Sequence, residues 1–418
     1  MIKMKKKILL VVPPYKKYGV PLIPIGLLYI ANNLISNKIE YDILDLNFCY
    51  SYHNCLIKKL AEMKPEVVGI SVRNIAETYG INDIYNELCD IVSASKVYAK
   101  VVLGGAGFSI FPHEIMKMTG ADYGITGFGE TSFVNVINNI ENIPNGSIVC
   151  ESDDTFCLSD ISLALLRYWN MYGKYFLCNE TDIPVQASRG CKCFCNYCTY
   201  PLISNYSVQT RPIEKVVSEI EKMVAYTKKN QFCFVDSVFN MDLEYTKDLL
   251  QFIIDSKINI RWRCSINPMN YDDELFYLMK QSGCYYCEAG IDSLSDIRLV
   301  NMNKYYNAEN AKKMLCKLEE FNIPYSLSLI LCGIGETEQS LLETVNITMQ
   351  HNINSINVFL GERIYPGTPL AKRLNKKAEE LLVASDDSIY IEPAARRLMK
   401  TIIKKYNLVN WNFIGGKV

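Results

Sequence analysis

Four cysteines fall within eight residues of this 418-residue chain, in the stretch Arg189 to Pro201, RGCKCFCNYCTYP. Thiolates are soft ligands that bind zinc and iron–sulfur clusters. Three of the four, Cys191, Cys195 and Cys198, have the spacing C-x3-C-x2-C. A tight loop of this kind can fold its thiolates around one compact iron–sulfur centre. Three ligands on a four-iron cubane would leave one iron open to a substrate or cofactor, as catalytic zinc sites keep an open position.

A structural zinc site is the first alternative. Zinc in such sites takes four ligands, often as two separated pairs. Here Cys193 lies only two residues from a neighbouring cysteine on each side, and this crowding disfavours a tetrahedral four-thiolate loop. Four unconnected core thiols at this density are less favoured still. Cys193 itself is expected to point out of the loop rather than to bind metal.

The composition limits the class of protein. The sixteen cysteines of this large chain indicate reduced thiols, some of them metal ligands, rather than a disulfide framework. A net charge of −1 gives no overall field that would attract nucleic acid or an acidic membrane. The early apolar run, Ile8 to Val12, is too short for a secretory signal or a membrane span. We therefore expect a cytoplasmic protein with no membrane span and no nucleic-acid partner.

The first 145 residues alternate apolar strands with helical patterns. Five strand candidates are 7–12, 41–47, 65–72, 99–105 and 122–127. This alternation predicts a Rossmann-like, flavodoxin-like α/β domain with a five-stranded parallel sheet over residues 1–145. Ligands on such sheets bind beyond the carboxyl ends of the strands. Those ends are rich in glycine and proline here, which lets backbone approach a ligand; the alternative is that the glycines only form turns.

A second alternation begins after a linker, predicted at 146–182. Six strand candidates are 183–188, 232–237, 259–267, 285–293, 324–334 and 355–366. Six βα units are too few for a closed eight-stranded barrel, so we predict a partial (β/α)6 barrel over residues 183–372. Residues 373–418 form a C-terminal extension that would cap its open side. A lone C-x2-C pair, Cys284 and Cys287, is interpreted as buried thiols.

The cysteine loop SRGCKCFCNYC (188–198) resembles the cluster loop of radical S-adenosylmethionine (SAM) enzymes. Later segments match that family in order: RPIEKVVSEIEKM (211–223), EAGIDS (288–293), GIGETEQSLLET (333–344) and IYPGTPL (364–370). The front half, from VPPY (12–15) to GFGETSF (127–133), resembles the cobalamin-binding domain that precedes the barrel in the B12-dependent branch. The chain is thus identified as similar to radical SAM enzymes with a cobalamin (B12)-binding domain.

The resemblance implies roles for particular residues. Cys191, Cys195 and Cys198 would bind a 4Fe-4S cluster whose open iron receives SAM. Asp292 replaces the usual glutamate and is one methylene shorter, and Asp236 has a helix N-cap as its alternative role. Arg363 is interpreted as a rim arginine, with a charged role in the pocket as the alternative. The candidate SAM-binding residues are Asp236, Asp292, Ser293, Gly333 and Tyr365.

Cobalamin would lie on the loops that follow strands one, three, four and five. None of the three histidines, His53, His113 and His351, lies in a D-x-H-x-x-G pattern or in the first of these loops, 13–24. We therefore expect cobalamin without a histidine from that loop on its lower face, a His-off state. The candidate cobalamin-binding residues are Pro24, Ile25, Gly26, Ser71, Gly104, Gly105, Gly127, Gly129 and Thr131.

The resemblance also implies a reaction. In that family SAM cleavage yields a 5′-deoxyadenosyl radical that takes hydrogen from an unactivated carbon. The simplest outcome is a methyltransferase that moves methyl from methylcobalamin to a small-molecule or lipid substrate, with a reductant such as flavodoxin or ferredoxin. One alternative is cyclisation, ring contraction or oxidation without methyl transfer. A second alternative is a non-enzymatic cobalamin or iron–sulfur sensor.

Overall fold

The computed structural model of the chain describes residues 6–14, 23–73, 81–150, 160–173, 182–383 and 388–414. The chain divides into two compact units. The first comprises Met1–Thr181 with Ala225–Thr227, and the second comprises Asp182–Val224 with Lys228–Val418. Among the described residues, no helix is both long and apolar enough to cross a membrane.

The first unit is built on a parallel sheet. Five of the six residues of its first strand are buried, because helices cover both faces of such sheets and only continuous apolar runs suit them. Its strands are β1 (Lys7–Val12), β2 (Glu40–Asp45), β3 (Val67–Ser71), β4 (Lys100–Gly104), β5 (Tyr123–Ile125) and β6 (Ser147–Val149), in the spatial order β2-β1-β3-β4-β5-β6. Its helices are Ile25–Ser36, Tyr52–Met63, Ile81–Lys96, Ala106–Ile110, Pro112–Thr119, Glu130–Asn139 and Ser162–Arg167.

The Rossmann-like class predicted for this unit is confirmed, but the sheet has six strands where five were predicted. The extra strand, β6, pairs in parallel with β5 through Tyr123↔Ser147 and Ile125↔Val149. It is three residues long and half-buried, so it lacks the continuous apolar run that marks the other strands. The predicted linker 146–182 also contains the helix Ser162–Arg167; residues 151–159 and 174–181 lie outside the described residues.

The second unit contains the predicted partial barrel. Its strands are β7 (Ile183–Val185), β8 (Ser188–Gly190), β9 (Val208–Thr210), β10 (Gln231–Phe234), β11 (Arg261–Ile266), β12 (Cys284–Asp292), β13 (Tyr325–Leu331), β14 (Ser355–Leu360), β15 (Glu362–Arg363), β16 (Ile389–Tyr390) and β17 (Asn412–Ile414). The main sheet has the order β17-β14-β13-β12-β11-β10-β7, and all its pairings are parallel. The six predicted barrel strands are therefore present, with β7 and β17 at the two ends.

Helices connect these strands. The longest, Ile213–Thr227, buries Val216, Val217 and Ile220 on one face, as the helical spacing of its apolar residues predicts. The others are Tyr200–Ile203, Leu243–Asp255, Asp273–Gln281, Asp296–Asn301, Ala308–Glu320, Glu338–Thr348, Pro369–Arg373, Ala378–Val383 and Pro393–Tyr406.

The C-terminal segment adds a strand to the barrel sheet. β17 pairs in parallel with β14 through Val358↔Phe413, so the sheet has a seventh strand. This strand lies in the C-terminal extension, where the sequence predicted an irregular end. The helix Pro393–Tyr406 buries Ala395, Met399 and Ile402. The role of this segment as a barrel cap remains a prediction.

Candidate functional site

The cysteine loop is closed by a two-stranded hairpin. β8 precedes the loop, β9 follows it, and the two pair antiparallel through Ser188↔Thr210 and Gly190↔Val208. Gly190 has φ +98°, and a Cβ at this position would lie 2.0 Å from the carbonyl oxygen of Ser207. Only glycine tolerates both the left-handed backbone and this close approach, so Gly190 fixes the direction in which the chain enters the loop.

Asp236 anchors the start of the same hairpin. Its carboxylate accepts hydrogen bonds from the amide of Ala187 at 3.2 Å, from the hydroxyl of Ser188 at 2.6 Å and from the amide of Ser188. Burial raises the pKa of Asp236 to about 6, although these hydrogen bonds favour the charged form. The alternative of a helix N-cap is wrong, because Asp242 caps the next helix. The SAM-binding role of Asp236 remains a prediction.

The three predicted cluster ligands line one cavity of about 180 Å³. Cys191 is buried, and Cys195 and Cys198 are half-buried. A hydrogen bond from Cys193 is the main cause that lowers the pKa of Cys191 to about 7, while burial raises the pKa of Cys198 to about 12. Thiolates are the form that binds metal. Three thiols on one cavity wall are the donor set that a 4Fe-4S cluster with one open iron requires.

Cys193 does not point out of the loop as expected. Its side chain is 6% exposed, and it lines the same cavity. Its sulfur lies 3.7 Å from the sulfur of Met269, and both pack with Met241 in a small apolar cluster. Cys193 therefore lies in the wall of the site, in the same apolar cluster as Cys191 and Cys195, and its exclusion from the cluster ligands remains a prediction.

A polar group lies beside the cysteines in the lining of this cavity. Asp292, at the end of β12, pairs with the ammonium of Lys304 and accepts a hydrogen bond from the hydroxyl of Tyr197. Lys304 also donates to the Tyr197 hydroxyl at 2.9 Å. Burial by itself would lower the pKa of Lys304, yet the attraction of Asp292 raises it well above its usual range. Lys304 is therefore a cation in this site.

Two asparagines join the cysteine loop to the segment that carries Lys304. The side chain of Asn196 donates to the carbonyl of Asn301 at 2.7 Å, and the backbone amide of Asn196 donates to the carbonyl of Met302 at 3.0 Å. The side chain of Asn303 donates to the carbonyl of Phe194 at 2.6 Å. These bonds fix the distance between the thiols and the lysine. Tyr197, Lys304 and Tyr306 were missed from the sequence, although Tyr197 lies inside the cysteine motif itself.

Two of the other predicted SAM-binding residues lie outside the lining of this cavity. Ser293 is 1% exposed, and its hydroxyl is 3.1 Å from that of Thr344, because it points to the opposite side of the chain from Asp292. Tyr365 is half-buried, with the guanidinium of Arg363 5.4 Å from its ring centre. Arg363 is therefore half-buried against an aromatic ring rather than on an exposed rim. The SAM-binding roles of Ser293 and Tyr365 remain predictions.

Gly333 also lies outside that lining, next to a buried ion pair. A Cβ on Gly333 would lie 2.3 Å from a carboxylate oxygen of Glu362 and 2.4 Å from a guanidinium nitrogen of Arg298. Arg298 and Glu362 pair at 2.7 Å, Arg298 and Glu336 at 3.1 Å, and all three are buried. The absence of a side chain at this glycine leaves room for that pair. Its role toward SAM remains a prediction.

In the first unit, the predicted cobalamin-binding residues lie at the carboxyl edge of the sheet. Pro24 precedes the helix Ile25–Ser36, which contains Ile25 and Gly26. Ser71 and Gly104 end β3 and β4, and Gly105 follows Gly104. Gly127 and Gly129 follow β5, and Thr131 lies in the first turn of the helix Glu130–Asn139. The strand order reverses at β1, since β2 and β3 lie on its two sides, and ligands of doubly wound sheets bind at such a point.

Two of the glycines at this edge differ in the space around them. A Cβ on Gly26 would meet no atom within 4 Å, so backbone is open to approach there. Gly105 has a separate, structural reason to be glycine, because its φ is +100° and a Cβ would lie 2.6 Å from the carbonyl oxygen of Val72. At both positions the absence of a side chain lets other atoms approach the backbone.

The histidines lie elsewhere. His53 is in the helix Tyr52–Met63 and contacts Asp90 at 2.9 Å. His113 is exposed near the start of the helix Pro112–Thr119. His351 contacts Glu319 in the barrel unit. Residues 15–22 of the loop after β1 lie outside the described residues, so the His-off state remains a prediction.

Cys284 and Cys287 are buried, as predicted, with their sulfurs 3.6 Å apart. Burial raises the pKa of the neighbouring Cys264, whose thiol also lies in the interior. Within the described ranges, no three Cys, His, Asp or Glu side chains converge tightly enough to hold a single metal ion. A four-iron cluster differs, because each thiolate binds a different iron.

Fold and site together define a class: an α/β protein with one parallel sheet that offers a ligand edge and one open barrel with three thiols in its cavity. Comparison with known proteins gives the family. Residues 185–347 match the radical SAM superfamily and residues 15–137 match the B12 binding domain. This chain is a radical SAM enzyme with a B12 binding domain. Its cofactors are a 4Fe-4S cluster, SAM and cobalamin, and enzymes of this superfamily use a reductant.

Relatives of known activity are distant. The chain is 28% identical over 200 residues to bacteriochlorophyllide d C-12(1)-methyltransferase of Chlorobaculum tepidum, with 47% of this chain and 43% of the relative covered. It is 26% identical over 320 residues to a tRNA-2-methylthio-N(6)-dimethylallyladenosine synthase of Clostridium botulinum, with 71% and 70% covered. The chain thus spans less than half the length of the first relative.

Among solved structures, the chain is similar to TsrM, a radical SAM methyltransferase from Kitasatospora setae with tryptophan and a SAM analogue bound. The TM-score is 0.80 at 20% identity, and the match covers 97% of this chain and 89% of the other. At this identity the likeness shows the fold alone. It includes both units, in agreement with the two family matches.

Proposed function

We propose that this protein is a cobalamin-dependent methyltransferase that replaces a hydrogen on a carbon of a small polar substrate by a methyl group. When bound, the cluster and SAM supply a 5′-deoxyadenosyl radical and methylcobalamin supplies the methyl group. The observation that carries the proposal is the barrel cavity, which is lined by the three thiols of the C-x3-C-x2-C loop and by Asp292. The methyltransferases among the relatives support it.

In this proposal Cys191, Cys195 and Cys198 hold the cluster. The hairpin of β8 and β9 and the bonds of Asn196 keep the thiols in place. Cys193 and Met269 keep water from one side of the site by apolar packing. Such exclusion strengthens every electrostatic interaction inside the cavity.

SAM would occupy the same cavity. Gly290 and Asp292 are two residues apart on β12, and both line it. Gly290 lets ligand approach the strand backbone, and the Asp292 carboxylate can accept hydrogen bonds from the ribose hydroxyls or the amino group. The hydroxyl of Tyr197 and the ammonium of Lys304 hold that carboxylate.

Cobalamin would bind the carboxyl edge of the first sheet. Backbone at Gly26 and at the glycines after β4 and β5 would approach the corrin, and Thr131 is exposed at a helix start. No histidine precedes the helix Ile25–Ser36, so we propose the His-off state for the bound cofactor.

The barrel strands favour a polar substrate over a lipid. On β11 the residues alternate between buried Trp262, Cys264 and Ile266 and half-buried Arg263 and Ser265.

The accessible side chains of this polar face are joined by hydrogen bonds. Glu288 accepts from the hydroxyls of Ser265 at 3.2 Å and Ser328 at 3.3 Å, and Arg263 pairs with Asp182. Ser265 also lines the thiol cavity. These side chains are half-buried, so part of their polar surface is open to a ligand. A lipid tail would cover that surface without hydrogen-bonding to it, which costs free energy, so we propose a small polar substrate and not a lipid.

A one-electron donor must reduce the cluster, and we propose flavodoxin or ferredoxin for this role. The test is an anaerobic assay of the reconstituted protein with chemical reductant, SAM carrying a labelled methyl group, and cobalamin. Methyl transfer predicts two products, 5′-deoxyadenosine and S-adenosylhomocysteine, with label on cobalamin.

The other outcomes identify the alternatives. If 5′-deoxyadenosine forms without S-adenosylhomocysteine, a cyclisation, ring contraction or oxidation replaces methyl transfer. If neither product forms although cluster, SAM and cobalamin are bound, the protein is a sensor. If Cys191→Ala retains the cluster, the ligand assignment is wrong.

A further inference from the structure

A single ion pair lies in the wall of the thiol cavity. Of the described residues that line this cavity, Lys304 is the only cation and Asp292 the only carboxylate. Their side chains are only 8% and 12% exposed. A buried charge pair of this kind gives little net stability, because desolvation offsets the attraction. Its presence in a ligand cavity therefore suggests a role other than stability.

Lys304 is held in one position by aromatic groups. Its ammonium lies 5.2 Å from the ring centre of Tyr197 and 5.8 Å from that of Tyr306. The Tyr306 ring is fixed in turn, because its hydroxyl donates to the carbonyl of Ile291 at 2.8 Å. Cation–ring contacts and the Tyr197 hydroxyl thus restrict a side chain that is normally flexible.

The backbone at Asp292 is unusual. Asp292 has φ +67°, a left-handed conformation that is uncommon for residues other than glycine, asparagine and aspartate. The pairing of β12 with β13 shifts register between Gly290 and Asp292. Such irregularities re-aim a side chain at the end of a strand, and here the side chain joins the cavity wall while Ser293 turns away.

The two donors use the same oxygen of Asp292. Lys304 and Tyr197 both contact Oδ2, and no described residue donates a hydrogen bond to Oδ1. A carboxylate has two oxygens that accept hydrogen bonds, so this arrangement keeps one of them for a ligand.

We propose that Lys304, with Tyr197 as second donor, is a positioning residue for SAM: it holds Oδ2 of Asp292 so that Oδ1 accepts a hydrogen bond from the ribose or the amino group. This inference rests on the proposed SAM site. Lys304 acts through Asp292 and does not itself contact SAM.

The test measures SAM affinity of the cluster-loaded protein by equilibrium dialysis with labelled SAM, together with iron per chain. Lys304→Met keeps the apolar stem and removes the charge, and Lys304→Arg keeps a cation. Asp292→Asn removes the carboxylate charge but retains a residue that tolerates positive φ. Lys313→Met, at an exposed lysine paired with Glu309 on the next helix, is the matched control.

We expect Lys304→Met and Asp292→Asn each to raise the Kd for SAM about tenfold, which corresponds to about 1.4 kcal/mol. Lys304→Arg should recover most of this loss, and Lys313→Met should bind as wild type. Because Lys304 acts through Asp292, Lys304→Met should add little in the Asp292→Asn background. Tyr197→Phe, a milder change, should raise the Kd by a smaller factor.

Three results would overturn the inference. One is wild-type SAM affinity in Lys304→Met at wild-type iron content. Another is a fully additive double variant, which would mean that Lys304 contacts SAM itself. The third is loss of the cluster in Lys304→Met, which would make the lysine a support of the cysteine loop. If wild-type protein with a full cluster binds no SAM, the proposed function fails instead.

Discussion

Alanine replacements in the cysteine loop separate the ligands from the packing thiol. Cys191, Cys195, Cys198 and Cys193 all line the same cavity, so exposure and position alone do not distinguish them. The spacing assigns the first three to the cluster and leaves Cys193 to contact Met269. Four single alanine variants therefore share one local environment and differ only in the role of the lost sulfur.

The three ligand variants should lose iron, whereas Cys193→Ala should lose only stability. Each ligand variant should lose nearly all of the roughly four irons per chain of a 4Fe-4S cluster. Cys193→Ala should retain them. The Cys193 side chain is 6% exposed, and loss of one buried heavy atom costs about 1 kcal/mol of unfolding free energy through lost burial and the remaining cavity.

The assay combines iron and sulfide analysis after anaerobic reconstitution with urea denaturation of the same samples. Cys316→Ala, at an exposed cysteine on the helix Ala308–Glu320, serves as the control for thiol removal. The ligand assignment is wrong if Cys193→Ala loses its iron, or if any one of the three ligand variants keeps a full cluster.

Three further predictions concern the framework of the site. Gly190→Ala should lower the free energy of unfolding by at least about 2 kcal/mol, and the iron content with it, because its Cβ would lie 2.0 Å from the Ser207 carbonyl oxygen. The control is Gly120→Ala, at positive φ but in open space. It should lower the free energy of unfolding by less, as measured by urea denaturation, and leave the iron content unchanged. Arg298→Met should cost about 3–5 kcal/mol at pH 8 by leaving Glu336 and Glu362 buried without their cation. The cost should shrink at pH 5, since burial already raises both pKa values; an equal loss at both pH values would contradict this. Burial raises the pKa of Asp236 in the folded state to about 6, against an ordinary value of 3.8. Between these pH values the folded state holds a proton that the unfolded chain releases, so the free energy of unfolding should fall by up to about 3 kcal/mol as pH rises through them. Asp236→Asn should flatten that pH dependence, and parallel wild-type and variant curves would contradict the assignment.

Much of the fold follows from local sequence pattern. β1 has the predicted bounds, Lys7–Val12, because a short, continuous apolar run flanked by charged residues and proline is typical of a buried strand. The short strands were harder. β6 and β17 have three residues each, and only their partners β5 and β14 make them strands, so the sequence gives no period to detect.

The site likewise has a part that local spacing predicts and a part that it does not. The cluster ligands are seven residues apart at most, and their spacing alone brings three thiols into one loop. The predicted pair Asp292 and Ser293 shows the limit of such reasoning. Adjacent residues at the end of a strand point to opposite sides, and the register shift beside Gly290 decides which of the two reaches the cavity.

The sequence by itself determined the two α/β units, the ligand loop and the glycine-rich sheet edge, because each depends on residues close together in the chain. Tertiary structure decided what lies beside the thiols. Tyr197, Asp292 and Lys304 are up to 107 residues apart, and they meet only because parallel strands bring their carboxyl ends to one rim of the barrel. It also turned Cys193 inward against Met269. The physical reason is that ligand spacing is a property of a short chain segment, whereas a charge pair and an apolar wall exist only when distant segments pack.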